Sequence, residues 1–374
     1  MKLVMMKERN KTKTINATPV LRRLGAFAFT ALSAKRTAIG ALGLLLVVSQ
    51  ASADSFSFST GDPDGKIATL SRPSSPGKIQ TETADDFIVT QTTLINQATF
   101  TGLLPLGASL ASISEVEIEM YLVFPGDSDT NRVLTVPTRA NSPGDVEIDG
   151  ATRDSAEGSL SFFATLLNAS FTVSNSIVNG IHKSPGQFTS GEGPVTGQEV
   201  MISVTFNPPI SLPDGHYFFR PEVLLDSGDF LWLSAPKPIV ASGTPFTLDL
   251  QSWIRNDALA PDWLRIGTDI THQGPFNAAF TLSGETDEDA DGVPDSLDLC
   301  PGTPAGAIVD SNGCSIDQIA PCGGPASGGT WKNHGAYVSR IAHAVEAFLE
   351  LGLISEDEAE EIVSQAAQSN CGRK

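Results

Sequence analysis

The chain has 374 residues, with 24 basic and 43 acidic side chains and a formal net charge of −19 at pH 7. Nine of the basic residues, but only Glu8 among the acids, precede residue 54, so the remainder carries 15 basic against 42 acidic side chains, a net −27. So acidic a surface repels nucleic acid and anionic lipid and attracts cations, which excludes a nucleic-acid-binding role.

Residues 1–53 read as a signal peptide. Lys2, Lys7, Arg9, Lys11, Lys13, Arg22, Arg23, Lys35 and Arg36 precede the apolar run TAIGALGLLLVVS, which ends in QASA with an Ala-x-Ala site at Ala53. The run from Ala38 to Val48 is short against the roughly 20 residues needed to span hydrocarbon. The expectation is a cleaved leader, no membrane span after cleavage, and a secreted, extracellular product, with the periplasm or the cell surface as alternatives.

Residues 54–283 alternate short apolar or period-2 runs with Gly, Pro, Asp, Asn and Ser, as in DDFIVT, INQATFTGLL, EVEIEMYLVF, EVMISVTF, HYFFRPEVLL and FNAAFTLSG. In EVEIEMYLVF, Val116, Ile118, Met120 and Leu122 share one face and Glu115, Glu117 and Glu119 the other, the signature of a half-buried strand. Many such strands without a convincing amphipathic helix predict a mainly β fold whose first domain is an antiparallel β-sandwich, jelly-roll or immunoglobulin-like. Within it Trp232, Trp253 and Trp263 fall close together in sequence beside Asp, Asn and Arg. They read as core filling or, alternatively, as a sugar-binding platform.

Residues 284–321 are poor in apolar side chains and rich in turn formers, so a ligand or cross-link must order them. In DEDADGVPDSLDLC, Asp287, Asp289, Asp291, Asp295 and Asp298 fall at the first, third, fifth, ninth and twelfth places of a twelve-residue loop. Gly292 takes the sixth place, and Val293 offers a main-chain carbonyl from the seventh. Ca²⁺ is a hard cation that takes about six to eight oxygens, and alternate residues of a tight loop converge on one point, so this set reads as a calcium site. Mg²⁺ would require a smaller octahedral cage and would keep more water.

Residues 322–374 predict a helical hairpin. AYVSRIAHAVEAFLELGL carries Val338, Ile341, Ala342, Val345, Phe348 and Leu349 on one stripe, and Ser355 with Glu358 forms a capping box at the start of a second helix. A short link makes the helices antiparallel, which brings Cys322 and Cys371 together and leaves Cys300 to pair with Cys314. Four cysteines in an exported chain fit a disulfide framework.

DEDADGVPDSLDLCPGTPAGAIVDSNGC, residues 287–314, resembles a thrombospondin type 3 repeat, as also found beside bacterial OmpA-like domains. The Asp ladder, Gly292, DLCP, TPAG and VDSNGC carry the resemblance. It implies Ca²⁺ bound through Asp287, Asp289, Asp291, Asp295 and Asp298, and a Cys300–Cys314 bridge. TADDFIVT is similar to the opening strand of secreted bacterial β-sandwich domains of unassigned function.

No G-x-S-x-G, H-E-x-x-H, P-loop or G-x-G-x-x-G occurs. The expectation is therefore a secreted, calcium-binding, non-catalytic protein with an adhesive or surface-interaction role, its partners calcium and an extracellular glycan or cell-surface protein. The alternative is a carbohydrate-binding or carbohydrate-active β-sandwich with the calcium segment as linker.

Overall fold

The computed structural model describes residues 55–124, 126, 139–182, 188–237 and 250–373, so the leader lies outside the described residues. In chain order the strands are β1 (Ser55–Ser59), β2 (Ile67–Leu70), β3 (Thr81–Val89), β4 (Thr93–Leu104), β5 (Ile113–Val123), β6 (Pro143–Glu147), β7 (Arg153–Asp154) and β8 (Leu160–Val173). They continue with β9 (Asn175–Ile177), β10 (Val195–Leu212), β11 (Gly215–Leu225), β12 (Leu231–Ala235), β13 (Trp253–Asn256), β14 (Leu264–Arg265), β15 (Asn277–Ala278) and β16 (Phe280–Thr286). Strand makes up 41% and helix 15%, so the chain is mainly β, as its alternating pattern predicts.

Two sheets result. One runs β1-β16-β4-β12-β2-β9, with β10 lying along β4, β8 along β10 and β15 beside β12. The other runs β14-β13-β3-β11-β5-β6, with β7 paired to β5. Pairing is antiparallel except between β2 and β9. One buried cluster draws on both sheets: Ile95 and Phe100 of β4, Val200, Ile202 and Val204 of β10, Val116, Ile118 and Met120 of β5, and Phe219 and Val223 of β11. The period of two places these residues on inward faces. The contact between β4 and β12 is so close that a Cβ on Gly102 would lie 2.2 Å from the Phe230 ring.

The reverse face of the second sheet departs from expectation. Alternation places Glu115, Glu117 and Glu119 on the polar side of β5, yet Glu119 is buried, as are Glu82 of β3 and Arg220 and Glu222 of β11. Segments around 139–145 and 250–265 cover this face. The Trp263 indole donates to the Gly144 carbonyl at 3.4 Å, Arg139 donates to Pro261, and the Leu250 amide reaches Asp86. Period 2 reports two faces, but not what a later segment lays over the second.

The tail carries α1 (Ile316–Ile319), α2 (His334–Glu350) and α3 (Glu356–Gln368). Ser355 caps α3, its side chain accepting from the Glu358 amide while Glu358 accepts from the Ser355 amide. The α2 stripe is rotated slightly from the expected one: Tyr337, Ile341, Ala344, Val345 and Phe348 are buried, whereas Leu349 is exposed. Cys322 bonds Cys371, with Cα atoms 4.8 Å apart, and Cys300 bonds Cys314 at 5.0 Å, both as expected. The short α1, capped by Ser315 and Gln318, has no counterpart in the sequence reading.

Candidate functional site

The three tryptophans do not form a platform. Trp232 lies between the sheets at 0% exposure, edge-on to Phe100, Phe219 and Phe280, with its indole donating to Ala279 at 2.9 Å. Trp253 and Trp263, at 1% and 0%, pack on the opposite face of the second sheet with Tyr121 and Phe218. Their closeness in sequence comes from neighbouring core positions, and the sugar-platform expectation is corrected accordingly. Burial of large rings dominates.

That same face carries the main concentration of chemistry. β11 lies between β3 and β5, and register sets Arg220 opposite Glu119 and Glu222 opposite Glu117. β13 sets Arg255 opposite Glu82. The Arg220 guanidinium meets Glu119 and Glu222 directly, with Glu82 at 3.4 Å and Glu117 at 3.7 Å. Arg255 forks onto Glu82, lies over the Trp263 ring at 4.3 Å, and donates to the Tyr121 hydroxyl at 2.9 Å. That hydroxyl in turn donates to Glu119 at 2.5 Å.

Four glutamates thus share two arginines. Burial, followed by a hydrogen bond to Glu119 and against the pull of Arg220, pushes Glu117 up to about 8. Burial likewise raises Glu222 to about 7, and its Oε1 has no hydrogen-bond partner among the described residues. Glu119 goes the other way. Burial alone would raise it, but the Arg220 charge and hydrogen bonds with Glu117, Tyr121 and Arg220 hold it at about 2. A carboxylic acid beside a carboxylate, with their environments pushing them apart, is the arrangement that general acid–base chemistry uses. Glu117 and the exposed Glu147 lie on the solvent side of the cluster, whereas Glu222 is sealed. Sequence reading placed Glu117 and Glu119 on one face but had no signal for the arginines across the strands.

The aspartate loop is a second, separate feature. Asp287, Asp289 and Asp291 each offer a carboxylate oxygen within 4.8 Å of the others. Asp287 is fixed by amides of Asp291 and Gly292, and Asp289 by those of Gly302 and Thr303. A Cβ on Gly313, at φ 74°, would strike Asp298 at 2.1 Å and lie 3.1 Å from Asp291 Oδ2, so the position leaves room only for glycine. Asp291 Oδ2 is buried without a hydrogen-bond partner. Burial and the neighbouring aspartates raise the Asp287 and Asp298 carboxyls against the amides that hold them. These residues fit a hard cation. Neither Asp295 nor Asp298 is brought into the group of three: Asp295 accepts from the Thr286 hydroxyl and the Glu288 amide, and Asp298 from the Cys300 amide. The Val293 amide donates to Asp291, which tightens the turn.

Among the described residues no helix is long and apolar enough to cross a membrane. The two disulfides are compatible with an extracellular setting.

No protein-family model matches the sequence, and no solved structure matches it. The chain is similar to a protein from Thalassotalea agarivorans described as an alpha-agarase, 37% identical over 98 residues. The match covers 25% of this chain and spans only 6% of that protein's length. This partial similarity corrects the expectation of a non-catalytic protein, which rested on the aspartate ladder, the export signal and the absence of short catalytic motifs. Side chains that strand register brings together from distant parts of the chain leave no such short motif.

Proposed function

We propose that this is a secreted, carbohydrate-active protein built on a β-sandwich and carrying a calcium-ordered loop. The observation that carries the reading is the 98-residue similarity to an alpha-agarase. It favours the carbohydrate alternative over adhesion. The chemical support is the sheet-face pair, in which Glu117 holds a proton as general acid and Glu119, ionised against Arg220 and Tyr121, serves as base or nucleophile.

The loop belongs to the same proposal. Asp287, Asp289, Asp291 and Asp298, with the Val293 carbonyl, would hold Ca²⁺, which would neutralise their mutual repulsion and fix the exit of β16 beside the Cys300–Cys314 bridge. The thrombospondin type 3 resemblance supports this assignment.

The test uses the mature protein with a panel of soluble polysaccharides that includes agar. Retarded migration in polysaccharide-containing gels together with release of reducing ends supports the reading. Absence of both across the panel would refute it.

A further inference from the structure

A cavity of about 460 Å³ opens on the side of the second sheet that carries Trp253. Its walls include Asn141, Lys237, Leu250, Gln251, Trp253 and Arg265. The size lies within the roughly 300–1,000 Å³ range of small-molecule sites. We infer that this cavity is a subsite for one neutral sugar residue of a polysaccharide, an assignment that rests on the carbohydrate reading above and gives it a location.

The wall chemistry selects the ligand class. Trp253 is 1% exposed, and its indole N–H has no acceptor among the described residues. An unmet buried donor costs about 1–3 kcal/mol, which an acceptor oxygen that reached it would offset. Gln251 accepts from the Thr268 hydroxyl at 2.8 Å, which orients its amide and leaves the –NH₂ to donate. Asn141 holds its backbone at φ 63° and presents an exposed amide at the rim. Amides that both donate and accept suit hydroxyl groups.

The cations do not favour an acidic sugar. The Arg265 guanidinium is engaged twice by Asp269, through Nε at 3.0 Å and Nη2 at 2.6 Å. The Lys237 ammonium donates to the Leu250 carbonyl. The chain beyond residue 53 also carries 42 acids against 15 bases, which disfavours a carboxylated or sulfated ligand. Trp253 shares its face of β13 with Arg255, two residues along, so the subsite lies beside the carboxylate cluster.

The test is nitrogen-15 NMR of the mature protein, with the Trp253 indole signal assigned by Trp253→Phe. The titrant is neutral oligosaccharides cut from whichever polysaccharide the protein retains in gels. The Trp253 indole signal should shift, while the core Trp232 signal stays in place. Gln251→Ala should weaken binding about tenfold with the Trp232 signal unchanged, which shows an intact fold. Binding that leaves both the Trp253 signal and the Gln251→Ala affinity unaffected overturns the subsite but spares the carbohydrate reading. Preference for acidic oligosaccharides overturns the neutral assignment. Binding of no polysaccharide at all overturns both.

Discussion

Replacing Arg220 by Met tests whether the second sheet depends on its buried charge network. The side chain is fully buried and meets Glu119 and Glu222 directly, with Glu82 and Glu117 within 3.7 Å. Methionine fills much of the volume, so the main loss is electrostatic. Breaking a buried ion pair by removing one partner costs about 3–5 kcal/mol, a large share of the roughly 5–15 kcal/mol by which a protein is stable. The cost falls chiefly on Glu119, which Arg220 holds at about 2. Without the arginine its carboxyl rises and takes a proton in acid, so the penalty should be largest near pH 8 and shrink near pH 5. The assay is urea unfolding followed by tryptophan fluorescence at both pH values. A loss below about 1 kcal/mol at pH 8, or an equal loss at both, would refute the reasoning. Adding Glu119→Gln to the variant should recover a substantial part of the loss at pH 8.

Three further expectations concern the wild-type chain and its cross-links. Glu117 and Glu222 are raised to about 8 and about 7 in the fold, so the stability they contribute is whole below their ordinary value and is lost as pH climbs through 7 to 8. The urea midpoint should therefore fall between pH 6 and 9, and Glu222→Gln should flatten the slope; a level wild-type profile counts against the proton-holding cluster. Replacing both Cys322 and Cys371 by Ser opens a loop spanning 49 positions and should cost the hairpin about 4 kcal/mol in the loop-entropy account, read as faster amide exchange in α2 and α3. Ca²⁺ at a hundred times its Kd should stabilise the protein by about 2.7 kcal/mol and shield residues 284–314 from protease. Asp291→Asn should remove most of that effect, and calorimetric titration without binding below millimolar Ca²⁺ would contradict the site.

Much of the fold was legible because it depends on local pattern. The period of two in EVEIEMYLVF marks β5 and its inward Val116, Ile118 and Met120, and Ser355 with Glu358 marks the start of α3. The Cys322–Cys371 bond follows once two helices are known to be antiparallel. What stayed hidden depends on pairing between distant segments. Nothing local in SFSFS says that β1 will pair with β16, with Ser55 opposite Glu285. The polar face of β5 looked solvated because its alternation is regular. Glu119 is buried there because later segments cover it and because Arg220 and Arg255, from strands more than 100 residues away, neutralise the cluster.

The two functional stretches show the same division. The aspartate spacing predicted the grouping of Asp287, Asp289 and Asp291, since alternate residues in a turn converge. It did not predict that Asp295 would serve Thr286 and Glu288, which depends on where β16 ends. Trp232, Trp253 and Trp263 are near one another in sequence, yet Trp232 packs in the core shared by both sheets while Trp253 and Trp263 pack together on the far face of the second.

Under the proposed function the protein acts on polysaccharide through Glu117 and Glu119. The most direct test of this is the rate of reducing-end release from the polysaccharide that the protein retains, measured for wild type and for Glu117→Gln at pH 6. Measurable release by wild type is expected, with a loss of about 10²-fold or more in the variant and the fold intact by tryptophan fluorescence. No release by wild type, or an unchanged rate in Glu117→Gln, would contradict it.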